Sequence, residues 1–387
     1  MNVNEMHPVV QELIGMVNSN EGWKGMFEAA LKKCHDDDVA EFDDIKTLDD
    51  WYEWINAQLS WIPVEDNYGT VVYYHLAKFY FLFDQEPVRS LQNLNVPHNT
   101  QPELTPLSKW MQKFCIALGE WMDDPKSINN ESLATFYNSP RYNMDEYIDP
   151  RGGWKTYNQM FARRTKPGYR PIAAIDDDTV IVSPADSTNA GQWEVRADSG
   201  VTIKGLHWKI QELLSGSPYA DRFQGGIWIH QFLNTTDYHR QHAPVGGKVL
   251  ESRMIQGACY LQVLAEPIAS DPSGRKHVVM RRQWDLPDQP GYQFQQARGL
   301  CVIDSPIGLV AVLPMGMASV SSIIMTAEVG KTLQKGEEIS YFQFGGSDIV
   351  VVFEQASNVS ITAHPGVHYK VGTRIAKAYP AVPRYLK

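Results

Sequence analysis

The segment Asp237-Tyr238-His239-Arg240-Gln241-His242-Ala243-Pro244 carries two histidines three residues apart. Imidazole titrates near neutral pH, so this pair suits proton transfer. On one helical face the same spacing would suit a metal ion, but no third ligand stands at a motif-like distance. Two structural histidines are the plainest reading. A second segment reads Phe342-Gln343-Phe344-Gly345-Gly346-Ser347-Asp348 between two apolar runs. Locally it is a hairpin turn or a bulge. Chemically, two residues without side chains leave the carbonyl before Ser347 open to attack by its hydroxyl. The pattern Gly-x-Ser-x-Gly is absent, so a hydrolase nucleophile elbow is not indicated. In Val182-Ser183-Pro184-Ala185-Asp186, the Asp ends an apolar run, where it forms a turn or orients a histidine. The fourth segment, Asn158-Gln159-Met160-Phe161-Ala162-Arg163-Arg164 through Arg170-Pro171, is a basic, proline-marked loop. Its bland reading is a connector with arginines in surface ion pairs.

These segments need a scaffold. Apolar residues at helical spacing predict helices over Val9–Val17, Trp23–Lys33, Leu48–Leu59, Val71–Phe83 and Leu104–Met122. Thr105-Pro106 supplies a cap and a first-turn proline. Beyond about residue 140 the pattern changes to short β-branched runs separated by Gly, Pro, Asp and Ser. Strands are expected at Val180–Val182, Gly226–Phe232, Gly257–Leu264, His277–Arg281, Leu300–Asp304, Leu309–Leu313, Ser319–Met325, Ile349–Phe353 and Val359–Ala363. The expected class is α+β, with a helical region over 1–140 and a mostly β catalytic domain over 141–387. The chain has 387 residues, 43% hydrophobic, enough for a sizeable core. Its formal charge of −10, without a Lys/Arg tract, argues against nucleic-acid binding. Cys34, Cys115, Cys259 and Cys301 form no CxxC pair, which fits a reducing compartment. The N-terminus has neither a basic nor an apolar targeting stretch, and no apolar window is long and unbroken enough to span a membrane. A cytoplasmic protein is the expectation.

The order and wording of the four segments resemble the phosphatidylserine decarboxylase family of pyruvoyl enzymes. Phe161-x-Arg163 followed by Arg170-Pro171, then Pro184-Ala185-Asp186, then Asp237-Tyr238-His239-Arg240-x-His242-x-Pro244, match that family in order. Lys335-Gly336-Glu337-Glu338 and the Gly-Ser segment complete the set. The resemblance covers residues 154 to 387. Membrane-bound members usually read Gly-Ser-Thr after the aromatic run, whereas this chain reads Gly345-Gly346-Ser347-Asp348. The extra glycine, the helical N-terminal region, and Phe232-Leu233-Asn234-x-Thr236 are similar to a soluble, fungal-type branch that includes tryptophan decarboxylases.

The resemblance implies self-cleavage between Gly346 and Ser347, with Ser347 becoming a pyruvoyl group. The chain would divide into 346 residues and the remaining 41 of 387. It implies His242 as the base, oriented by Asp186, and His239 as a group assisting turnover. The reaction implied is decarboxylation of an amino acid through a Schiff base, a carboxy-lyase activity needing neither pyridoxal phosphate nor metal. A free aromatic L-amino acid is the expected substrate and phosphatidylserine the alternative; a homodimer is the expected assembly. Two other classes stay open. One is an uncleaved binding module, since Ala243–Val249 and Val371–Ile375 resemble strands of lipoyl-type carriers. The other is a metal hydrolase using His239 and His242.

Overall fold

A computed structural model describes residues 2–93, 96–97, 103–196, 198, 200–203, 206–280, 291–316 and 322–381. Six helices lead the chain: α1 (Pro8–Ser19), α2 (Trp23–Asp36), α3 (Leu48–Gln58), α4 (Val71–Phe83), α5 (Pro106–Met122) and α6 (Asn130–Asn138). Each arises from its pattern and its caps. In α1, Val10, Leu13, Ile14 and Val17 bury one face. Thr47 and Asp50 form a reciprocal capping box on α3, and Thr105 caps α5 ahead of Pro106. The buried aromatics Trp51, Phe83, Trp110 and Phe114 hold the helices together. Helix α6 was not foreseen. It is short, and its start is set by the Asn129–Ser132 capping box rather than by a long apolar stripe.

The remainder is mostly antiparallel β-structure, so the class is α+β. An eight-stranded sheet runs in the order Thr332–Leu333, Gly247–Ile255, Arg298–Ser305, Gly308–Gly316, Gly346–Phe353, Ile227–Phe232, Ser187–Glu194 and His368–Tyr369. Its middle is buried on both faces. Ile349, Val351 and Phe353 join one core, while Val350 and Val352 join another containing Trp208, Trp228 and Phe294. A separate three-stranded sheet orders Ile323–Met325, Glu338–Phe342 and Arg240–His242.

Several strand expectations shift. The run from Gly257 does not begin a strand; Val263–Pro267 does. A Cβ on Gly257 would lie 2.3 Å from the Gln295 carbonyl oxygen, so that segment is a close backbone approach. The His277 strand spans Lys276–Met280, with Arg281 outside the described residues. Residues 319–321 also lie outside them, and the strand there spans Ile323–Met325. The helices pack on this β-structure directly: the Met280 N–H donates to the Tyr73 hydroxyl at 2.7 Å, and Arg275 bridges Asp38 and Asp43. Among the described residues no helix is long and apolar enough to cross a membrane.

Candidate active site

The Arg240–His242 strand pairs antiparallel with Glu338–Phe342, placing His242 opposite Glu338. At the far end the Phe342 N–H donates to the His239 carbonyl at 2.8 Å. The chain then leaves the small sheet and enters the large one at Gly346. The expected hairpin is therefore absent, because the flanking runs belong to different sheets. A bulge is present instead. Met315 pairs with Asp348 and Gly316 with Gly346, which leaves Ser347 as the extra residue.

Both glycines are required by geometry. Gly345 has φ +111°, in the region side chains resist. A Cβ on Gly346 would lie 2.3 Å from Cδ1 of Phe342, so the ring packs against bare backbone. The crossing is tied to the helical side. Asn158 accepts the Phe344 N–H at 2.9 Å, and its amide donates to Asp123 at 3.1 Å. Ser347 is half-buried, and its carbonyl accepts the Leu233 N–H at 2.6 Å. Among the described residues its hydroxyl makes no hydrogen bond.

The two histidines occupy different surroundings. They lie on extended chain, not on one helical face, which removes the geometry expected for a shared metal. His239 is fully buried and stacks on Phe161 at 3.9 Å between ring centroids. Phe161 meets Phe344 edge-on at 5.7 Å, and Phe342 faces His239 at 6.4 Å. His239 thus shares an aromatic layer with both phenylalanines of the crossing. His242 is largely buried. Its Nδ1 lies 2.7 Å from the Gly336 carbonyl and its Nε2 lies 3.0 Å from the Tyr238 hydroxyl. A carbonyl only accepts, so the proton sits on Nδ1 and Nε2 is bare. Burial holds this imidazole below its ordinary pKa, against the opposing pull of Glu338 and Asp186. It is a neutral ring in the form a base requires.

Asp186 departs from expectation. It is buried, but no hydrogen bond joins it to His242 among the described residues. Its carboxylate is taken by Arg170, with Nε at 2.9 and 3.0 Å and Nη2 at 2.5 Å, and by the Val371 N–H at 2.8 Å. Arg170 also binds Glu146 at 2.7 Å and lies over the Tyr238 ring at 5.6 Å. The link from Asp186 to His242 therefore runs through Arg170 and Tyr238. The backbones are adjacent, since the His242 N–H donates to the Pro184 carbonyl at 2.7 Å.

The reading of the basic loop as a surface connector fails for two of its arginines. Arg163 is 1% exposed, lies 4.2 Å over the Tyr147 ring, and donates to the Thr236 carbonyl at 2.7 Å. It fixes the entry to the histidine segment, and Arg170 fixes Asp186. Arg164 alone behaves as expected, with an exposed side chain paired to Glu338. Tyr238 and Asn158 were missed as positioning residues. Tyr238 lay inside the histidine motif and Asn158 at the head of the basic loop, but neither was given a role.

A family model described as phosphatidylserine decarboxylase matches residues 157–377. Phosphatidylserine decarboxylase proenzyme 3 of Schizosaccharomyces pombe is 32% identical over 257 residues, 66% of this chain and 24% of that protein. Phosphatidylserine decarboxylase proenzyme 2 of Oryza sativa is 32% identical over 238 residues, 61% of this chain and 35% of that protein. Decarboxylase iboD of Amanita muscaria is 29% identical over 272 residues, 66% of this chain and 76% of that protein. The chain thus spans about a quarter and about a third of the length of the first two relatives. With more than half of its residues matched by the family model, the chain belongs to the phosphatidylserine decarboxylase family.

Proposed function

We propose that the chain is a self-processing, pyruvoyl-dependent decarboxylase acting on a free aromatic L-amino acid. The observation that carries the proposal is Ser347 itself: a bulged serine whose hydroxyl is unengaged among the described residues, preceded by two glycines at positions where a side chain would bring strain or a clash. This fits a serine whose oxygen must reach the preceding carbonyl.

In processing, the Ser347 hydroxyl proton passes to Nε2 of His242. The Tyr238 hydroxyl must first leave that nitrogen, and the His242 end of the small sheet must close on Ser347, since no contact joins the two among the described residues. Oγ attacks the Gly346 carbonyl, the Gly346–Ser347 C–N bond breaks, and the freed amine takes a proton. Loss of the Ser347 α-proton then expels the Gly346 carboxylate with Oγ. Water replaces the nitrogen of the resulting enamine, releasing ammonia and leaving a pyruvoyl group. Asp186 and Arg170 hold the Tyr238 and His242 segments in register throughout.

The pyruvoyl carbonyl supplies a site for the substrate amine and a sink for the electrons released with CO2. His239 is positioned by Phe161 and Phe342, and delivers a proton to the α-carbon after CO2 departs. Support for a free amino acid over phosphatidylserine comes from the Gly345-Gly346-Ser347-Asp348 wording, and from the relative named decarboxylase iboD, most of whose length the match covers.

The test incubates purified chain with L-tryptophan, L-phenylalanine, L-tyrosine and phosphatidylserine vesicles, and identifies the amine formed. An aromatic amine, absent with Ser347→Ala, is expected. Phosphatidylethanolamine alone would overturn the substrate. Cleaved chain yielding no amine from any of them would overturn the activity.

A further inference from the structure

The helical region closes a small aromatic cavity against the serine segment. Its walls include Trp61 after α3, His75 and Phe79 on α4, Phe114 and Leu118 on α5, and Phe344 from the sheet crossing. The walls are flat. Phe79 stacks on Phe114 at 4.6 Å and 13°, and Trp61 on His75 at 3.9 Å and 12°. One polar atom is conspicuous: Nε2 of His75 is buried and, among the described residues, has no hydrogen-bond partner. Leaving such an atom unpaired is costly, so its retention points to a ligand that pairs it. Burial, with Lys78 nearby, brings the His75 pKa down to about 4, so the ring is neutral and can accept from an N–H or O–H.

As it stands the cavity measures about 20 Å³, room for a water molecule or two but not for a ring. Phe344 is the plug. It packs edge-on against Trp61, Tyr157 and Phe161, and its N–H is latched to Asn158 at 2.9 Å. Phe344 lies two residues before Gly346, so a cut after Gly346 turns it into the tail of the larger fragment.

We propose that this cavity is the side-chain site for the substrate, that it takes a flat aromatic group carrying one hydrogen-bonding atom read by His75, and that self-cleavage opens it by freeing Phe344. The proposal rests on Ser347 as the site of cleavage and deepens that reading. It makes His75 a specificity-determining residue and gives the helical region a role in recognition.

The test measures binding of tryptamine and of phenethylamine, which lacks the ring N–H, by calorimetry. Neither has a carboxylate to lose, and the comparison of Ser347→Ala with its Phe344→Ala double variant, both lacking the pyruvoyl group, reads the cavity apart from condensation of their amines. Processed natural chain should bind tryptamine, and uncleaved Ser347→Ala should bind it at least about tenfold more weakly. Adding Phe344→Ala to Ser347→Ala should restore binding without any cleavage. His75→Leu should weaken tryptamine by about tenfold and leave phenethylamine unchanged, and His75→Gln should recover part of the loss. Equal binding to cleaved and uncleaved chains, with no effect of Phe344→Ala, would overturn the opening. Equal losses for both amines in His75→Leu would overturn recognition by His75. If the natural chain is not cleaved, the reading of Ser347 fails. The cavity is then judged on the Phe344→Ala pair alone, with unchanged tryptamine binding counting against it.

Discussion

The β wall and the helical wall of this molecule are built from opposite materials. On the β side Arg163, Arg170, Asp186, Glu338 and His242 are knitted by charge and hydrogen bonds, most of them out of water. On the helical side the wall is stacked rings with one unpaired histidine nitrogen. A polar network holds atoms in fixed places, because each broken bond leaves a buried charge uncompensated. An apolar wall holds shape and volume and discriminates by what fits. Under the proposed function the labour divides accordingly: the β wall serves proton transfer at Ser347, and the helical wall chooses what arrives there.

The largest expected effect comes at the sheet crossing that carries Ser347. Gly346→Ala places a methyl 2.3 Å from the Phe342 ring, so strand entry must shift. Cleavage should be lost, as read by denaturing electrophoresis, while Gly15→Ala on the open face of α1 leaves it intact. Next comes the ion pair. Arg170 and Asp186 have side chains only 5% and 4% exposed. Asp186→Ala should cost about 3–5 kcal/mol of stability, measured by urea unfolding, and should slow processing. A loss below about 1 kcal/mol would show that the β wall is no more rigid than its neighbour.

The histidines give a pH test. His242 must be neutral to accept a proton, and burial lowers its pKa. Processing should therefore hold level as pH falls to about 6.5, the ordinary histidine value, and decline only below it. For stability the unfolded chain takes up protons first, so a histidine with a depressed folded pKa costs stability as pH falls. For His75 that window runs from about 6.5 down to about 4. His75→Leu should flatten the acid side of the Tm profile across that window, and an unchanged profile would contradict its buried, neutral state. The smallest effect is at the surface. Arg275→Ala removes exposed pairs to Asp38 and Asp43 and should change stability by less than about 1 kcal/mol.

Legibility in the sequence differed between the walls in the same way. Helices α1, α2, α3 and α5 were readable because each buries a stripe with helical period, and α4 because it is a long apolar and aromatic run, buried all round from Ala77 to Phe83. The core strands Leu309–Leu313 and Ile349–Phe353 were readable because they are continuous apolar runs. The polar strand Ser187–Glu194 was not, since its buried positions are Ser187, Asn189 and Gly191. The site residues on the β side stood out as motifs whose residue types are costly to place without a chemical reason. Their connections did not. That Asp186 reaches His242 by way of Arg170 and Tyr238 depends on three separate segments meeting. The helical wall left no motif at all, because Trp61, His75, Phe79 and Phe114 read as ordinary core aromatics until Phe344 is seen beside them.

The central claim is that Ser347 is consumed in cutting its own chain. Intact mass of the purified natural chain under denaturing conditions, beside Ser347→Ala, tests it most directly. The account predicts two fragments meeting between Gly346 and Ser347, of 346 and 41 residues, the smaller without a free amine, and a whole variant chain. A single 387-residue species from folded natural chain would contradict it.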